Sequence, residues 1–138
     1  MTAAAKKPAR KRILLVDDEP GVTRSLKLAL EATGQYEVRT ENDSNHAIER
    51  AREFHPHLIL LDVLMPGLDG WDVSARVHSD PEVKDTPIVF LTALATREGT
   101  GGHAAVAGST VYLAKPADIR EVIEAIEAYA RDERLTTR

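Results

Sequence analysis

The chain contains no cysteine, which excludes disulfide scaffolds, thiolate metal sites and thiol nucleophiles. Aromatic residues are scarce: one tryptophan, three tyrosines and two phenylalanines in 138 residues, so the core must be built mainly from aliphatic side chains. No apolar run approaches the roughly 20 residues that a membrane-spanning helix needs. The N-terminus MTAAAKKPARKR carries basic and small residues without the apolar segment of a secretory signal, so the expected location is the cytosol. An excess of positive charge is also missing. The net charge is −4 at pH 7, which argues against a surface built for direct nucleic-acid binding. The five histidines lack metal-ligand spacing.

What is present is an ordinary globular composition, 43% apolar and 29% charged, at the length of one domain. Residues 1–11, with Lys6, Lys7, Arg10 and Lys11, read as a disordered basic arm. Residues 12–130 read as one folded domain, and 131–138 as a polar tail.

Short β-rich runs alternate with segments of helical period, the pattern of a parallel sheet covered by helices on both faces. RILLV (12–16), YEVRT (36–40), LILLD (58–62), PIVFLTA (87–93) and TVYLAK (110–115) are the expected strands. Between them Val22, Leu26, Ala29 and Leu30, then Ala47, Ile48, Ala51 and Phe54, then Val73 and Val77 recur at helical spacing. In the last helix Ile119, Val122, Ile123 and Ile126 form a stripe, with Arg120, Glu121, Glu124 and Glu127 expected on the solvent side. The fourth helix is expected to be short, late-starting or mobile, because Gly99, Gly101 and Gly102 each weaken it by about 1 kcal/mol relative to alanine. The fold predicted is α/β: a flavodoxin-like, doubly wound, five-stranded parallel sheet of order 2-1-3-4-5 with helices on both faces. Such a sheet binds its ligands beyond the carboxyl ends of the strands.

Those ends carry the chemistry. Strand one ends in Asp17, Asp18 and Glu19, strand three in Asp62, strand four near Thr92 and strand five in Lys115 before Pro116. Neighbouring strands lie about 4.8 Å apart, so these groups converge. Crowded carboxylates repel and raise at least one pKa unless a cation joins them. A hard divalent ion such as Mg²⁺ fits an all-oxygen set. With a lysine, a hydroxyl and a metal around it, Asp62 can attack phosphorus while fixed positive groups meet the phosphoryl charge.

The pieces ILLVDDEP, LILLDVLMPGLDGWDV, PIVFLTALA and VYLAKP, taken together, resemble the receiver domain of two-component response regulators of the chemotaxis-regulator kind. The resemblance runs over nearly the whole chain. It implies a phosphoprotein of a signal-transduction phosphorelay, phosphorylated on Asp62 by a histidine kinase or phosphotransfer protein. It further implies Mg²⁺ held directly by Asp18 and Asp62, with Asp17 acting largely through water and the Leu64 backbone carbonyl as another ligand. Thr92 and Lys115 would contact the phosphoryl group, the Lys115–Pro116 peptide would be cis, and Thr92 with Tyr112 would form the switch. A downstream protein target or output domain would read the state through the fourth helix, fifth strand and last helix. The expected form is a stand-alone, non-enzymatic regulator, with homodimerisation left open.

Three features depart from the family's pattern. Leu64 and Leu94 occupy positions where polar side chains often influence phosphoryl hydrolysis, so a long-lived phosphorylated state is expected. Ala117 replaces a common phenylalanine after Lys115–Pro116. Gly99 to Gly102 interrupt the usual fourth helix. Two other functions compete. A haloacid dehalogenase-type phosphatase would use a second aspartate where Leu64 stands, and leucine cannot move a proton. An interaction module that is never phosphorylated would not need the full set of site residues.

Overall fold

The structure, a computed structural model, describes residues 9–95, 101–108 and 110–131. Strands β1 (Lys11–Val16), β2 (Tyr36–Glu41), β3 (Leu58–Leu61), β4 (Ile88–Thr92), β5 (Ala105–Ala107) and β6 (Thr110–Ala114) form one sheet of order β2-β1-β3-β4-β6-β5. The helices are α1 (Pro20–Ala32), α2 (Ala47–Phe54), α3 (Gly70–Ser79) and α4 (Ile119–Tyr129).

Alternation along the strands divides the core between the two faces. Ile13 and Leu15 of β1 pack with Leu30 of α1 and with Val122 and Ile126 of α4. Leu14 and Val16 face the other way, toward Ala47, Ala51 and Phe54 of α2 and Val73 and Val77 of α3. All four residues of β3 are buried, as a central strand with covered faces requires. The edge strand β2 instead buries Tyr36 and Val38 and exposes Glu37 and Arg39.

Helix boundaries follow local chemistry. Pro20 occupies the first turn of α1, and Gly34, at φ +77°, follows its end. Asp69 and Asp118 open α3 and α4 with reciprocal capping boxes to Asp72 and Glu121.

Four expectations need correction. The sheet has six strands, because Ala105–Ala107 adds an antiparallel edge strand against β6. Glycines at φ +67°, +75° and +63° (Gly101, Gly102, Gly108) bracket this strand and suit turns, so a β-hairpin occupies part of the region assigned to the fourth helix. Residues 96–100, also in that region, lie outside the described residues. Glu121, placed on the solvent side of the last helix, is only 2% exposed because the capping box draws its carboxylate onto the Asp118 N–H. The arm and tail boundaries shift by a residue: Lys11 is already the first residue of β1, and Arg131 donates its N–H to the His57 carbonyl at 2.8 Å. The remainder of the expected arm and tail, residues 1–8 and 132–138, lies outside the described residues. Among the described residues no helix is long and apolar enough to cross a membrane.

Candidate phosphoacceptor site

Parallel pairing fixes which residues meet at the carboxyl edge of the sheet. Val16 pairs with Leu61, Leu61 with Phe90, and Thr92 with Ala114, so the next residues along β1, β3 and β6 are Asp17, Asp62 and Lys115. Backbone bonds continue past the strand ends. The Asp62 N–H donates to the Val16 carbonyl at 2.9 Å, and the Lys115 N–H to the Thr92 carbonyl at 2.9 Å. Gly70 closes the site from behind. Its N–H donates to the Val63 carbonyl at 2.8 Å, and a Cβ there would fall 2.3 Å from the Asp62 carbonyl oxygen. Only glycine lets the first turn of α3 approach the end of β3 so closely.

Asp17 and Asp62 are buried and Asp18 is half-buried, and one carboxylate oxygen from each lies within 4.8 Å of the others. Lys115 Nζ sits 2.7 Å from Asp17 Oδ2, 3.2 Å from Glu19 Oε1 and 3.5 Å from Asp62 Oδ2. The lysine thus reaches Asp62 but stands closer to Asp17. Burial, and next the negative charge of Asp17, push the Asp62 carboxyl above its ordinary range, with Lys115 opposing them. For Lys115, burial works against the charged form, but Asp17, Asp62 and Glu19 outweigh it and hold the ammonium above its usual value.

The donor set suits a hard cation. Asp17 Oδ1 accepts the Glu19 N–H at 3.0 Å. Its partner Oδ2 is buried and, despite the nearby ammonium, has no aligned hydrogen bond among the described residues. Three carboxylates that can each offer an oxygen within 4.8 Å of the others form the all-oxygen set that a hard divalent ion takes.

Thr92 is buried at the end of β4, and its Oγ1 accepts the Leu94 N–H at 3.1 Å. Tyr112, on β6 opposite Phe90, is half-buried against the core shared with α2 and α3. The Lys115–Pro116 peptide is cis. Leu64 and Leu94, in the turns after β3 and β4, are 58% and 63% exposed. Trp71 is half-exposed and lays its ring on Phe90 with centroids 4.6 Å apart. Beside Lys115 opens a largely apolar cleft of about 470 Å³ lined by Val22, Leu26, Leu91, Pro116 and Ala117 among others. A larger side chain at position 117 would take up part of that space.

Sequence reasoning missed two contributors. Gly70 reads only as a helix start until the strand behind it is known. Asn42 donates from Nδ2 to the Asp17 carbonyl at 2.7 Å, and its sole sequence signal was its position just beyond the carboxyl end of β2.

Comparison with known proteins agrees with this geometry. The sequence profile of the response regulator receiver domain matches residues 13–127. The chain is 33% identical over 121 residues to the DNA-binding dual master transcriptional regulator RpaA of Synechocystis, covering 87% of this chain but only about half (49%) of RpaA. It is 30% identical over 122 residues to the polar-differentiation response regulator DivK of Brucella abortus, covering 88% of this chain and 98% of DivK. Among solved structures, the receiver domain of the Pseudomonas aeruginosa sensor histidine kinase PA1611 superposes with a TM-score of 0.71 at 28% identity, over 88% of this chain and 98% of that one. That structure is described with a magnesium ion coordinated in its active-site cleft. By matched length, sheet order and the acids gathered at the strand tips, the chain belongs to the response regulator receiver domain family.

Proposed function

We propose that this chain is the phosphoacceptor of a two-component phosphorelay in the cytosol, with Asp62 as the residue that carries the phosphoryl group. One observation carries the reading: the Lys115 ammonium, beyond the end of β6, lies within 3.5 Å of Asp62 and 2.7 Å of Asp17, which follow the adjoining strands β3 and β1. The donor is a phosphohistidine of a histidine kinase or phosphotransfer protein. An Asp62 oxygen attacks phosphorus, the phosphorus–nitrogen bond breaks, and the imidazole keeps the electron pair and takes up a proton. Lys115 and the Thr92 hydroxyl meet the negative charge on the phosphoryl oxygens.

Asp18 and Asp62 would hold Mg²⁺ directly, Asp17 mainly through water, and the Leu64 carbonyl would complete the protein's share of ligands. The bound ion supplies positive charge to the phosphoryl oxygens. Thr92 moving toward the phosphoryl group makes room for Tyr112 to turn inward, a local charge change biasing a two-state element. A downstream protein target or output domain reads that element on the face that includes β6 and α4. The chain acts stoichiometrically rather than as an enzyme.

Incubation with acetyl phosphate and Mg²⁺, followed by intact mass, tests the reading. The native chain should gain one phosphoryl group and Asp62→Asn none. A gain that persists in Asp62→Asn, or sustained phosphate release from a simple phosphate ester, would contradict it.

A further inference from the structure

We infer that Asn42 and Ser44, in the segment joining β2 to α2, brace the two turns that carry the cation ligands, with Asn42 as a positioning residue for Mg²⁺. This rests on the metal site proposed above. The β1–α1 turn, with Asp17 and Asp18, and the β3–α3 turn, with Asp62 at its start, both leave the sheet where backbone groups lose their ladder partners. The Asp17 N–H still reaches the Glu41 carbonyl of β2 at 3.2 Å. One residue on, Asn42 Nδ2 donates to the Asp17 carbonyl at 2.7 Å and to Thr23 Oγ1 at 3.0 Å. The Thr23 hydroxyl donates in turn to the Pro20 carbonyl at 3.2 Å, in the first turn of α1. A backbone carbonyl only accepts, so the orientation of the Asn42 amide is dictated by its partner.

Two residues later the segment grips the other turn. Ser44 is 2% exposed, and its Oγ donates to the Pro66 carbonyl at 3.0 Å. Gly67 lies against the same segment: its φ of +77° favours glycine, and a Cβ there would make a tight contact, 3.0 Å, with Asn45 Nδ2. Neither Asn42 nor Ser44 belongs to the acidic cluster, yet together they fix the spacing of the backbones from which its carboxylates project. Mg²⁺ demands near-ideal octahedral geometry, so its affinity is sensitive to such outer partners.

Calorimetric titration of the full chain with MgCl₂, paired with thermal unfolding in a chelator, tests this. Asn42→Ala should weaken Mg²⁺ binding by about tenfold, the low end of what loss of an outer partner of a metal ligand costs. Its unfolding midpoint without metal should fall by only a few degrees, the shift that loss of about 1 kcal/mol of hydrogen bonding produces in a domain of this size, with the chain still fully folded at the titration temperature. Ser44→Ala should weaken binding in the same direction, and Thr23→Val should add little once Asn42 is alanine, because Thr23 acts through Asn42. Native affinity in Asn42→Ala would overturn the brace while leaving the metal site standing. So would a weakening that merely tracks lost fold stability. Absence of Mg²⁺ binding by the native chain, or unchanged binding in Asp17→Asn, would instead remove the site on which the brace depends.

Discussion

At the scale of single residues, the site depends on a few positions with no tolerance for substitution and others that tune it. Gly70→Ala would drive a methyl into the Asp62 carbonyl at 2.3 Å, and the listener to that clash is backbone rather than a flexible side chain. It should destabilise the fold by about 2 kcal/mol or more, the range of overpacked cores, and reduce phosphoryl uptake in the fraction that folds; unfolding in urea and intact mass report the two effects. Leu64 is exposed beside Asp62 and offers a water molecule no hydrogen bond. Leu64→Asn should shorten the life of the phosphorylated chain several-fold, measured as phosphate release in Mg²⁺. Asp17, Asp18, Asp62, Thr92 and Lys115 were legible because each stands at the end of an apolar run and the strand order makes those ends neighbours. Asn42 and Gly70 were not, since their roles depend on contacts across 25 residues to Asp17 and on a helix-to-strand approach that no local pattern encodes.

At the scale of elements, strands and helices with strong apolar periodicity were readable, whereas the glycine-rich stretch before β6 was not. There, weak helix propensity showed that a helix was disfavoured without showing that Ala105–Ala107 would pair with β6. Glu127 is exposed, as expected, and from the surface it also ties α4 to the opposite edge of the sheet. Its carboxylate accepts from the buried Tyr36 hydroxyl of β2 and lies 3.1 Å from Lys11 Nζ of β1. The hydrogen bond from Tyr36, then Lys11, lower the Glu127 pKa, while burial and the same carboxylate raise that of Tyr36. A depressed carboxyl pKa contributes stability that is present above its ordinary value of 4.5 and lost as pH falls through the lowered value. A raised tyrosine pKa contributes stability that is present below 10.0 and lost as pH rises beyond it. Glu127→Gln should therefore lower the unfolding midpoint at pH 7 and flatten the acid limb below pH 4.5 in thermal scans across pH.

At the scale of the whole molecule, the buried Asp62 carboxylate, set beside the charge of Asp17, opposes stability. Asp62 has a raised pKa, so its favourable contribution exists when it is protonated and is lost as pH rises through the folded value. Near pH 7 and without divalent ions, Asp62→Asn should unfold at a higher temperature than the native chain, with the difference shrinking as pH falls toward the acid range. Mg²⁺ should raise the native midpoint progressively with concentration, as a ligand of the folded state does, and do so far less in Asp62→Asn. The likeness to DivK and to the PA1611 receiver extends across the fold, whereas the proposed phosphoacceptor role rests on the chemistry of one carboxylate, Asp62. The most direct measurement is therefore to phosphorylate the chain with acetyl phosphate and Mg²⁺, reduce the acyl phosphate with borohydride, and map the product by peptide mass spectrometry. Reductive cleavage converts a phosphorylated aspartate to homoserine, and homoserine should be found at position 62 alone. Homoserine at position 17 or 18, or phosphate resistant to borohydride on a hydroxyl side chain, would contradict the assignment of Asp62.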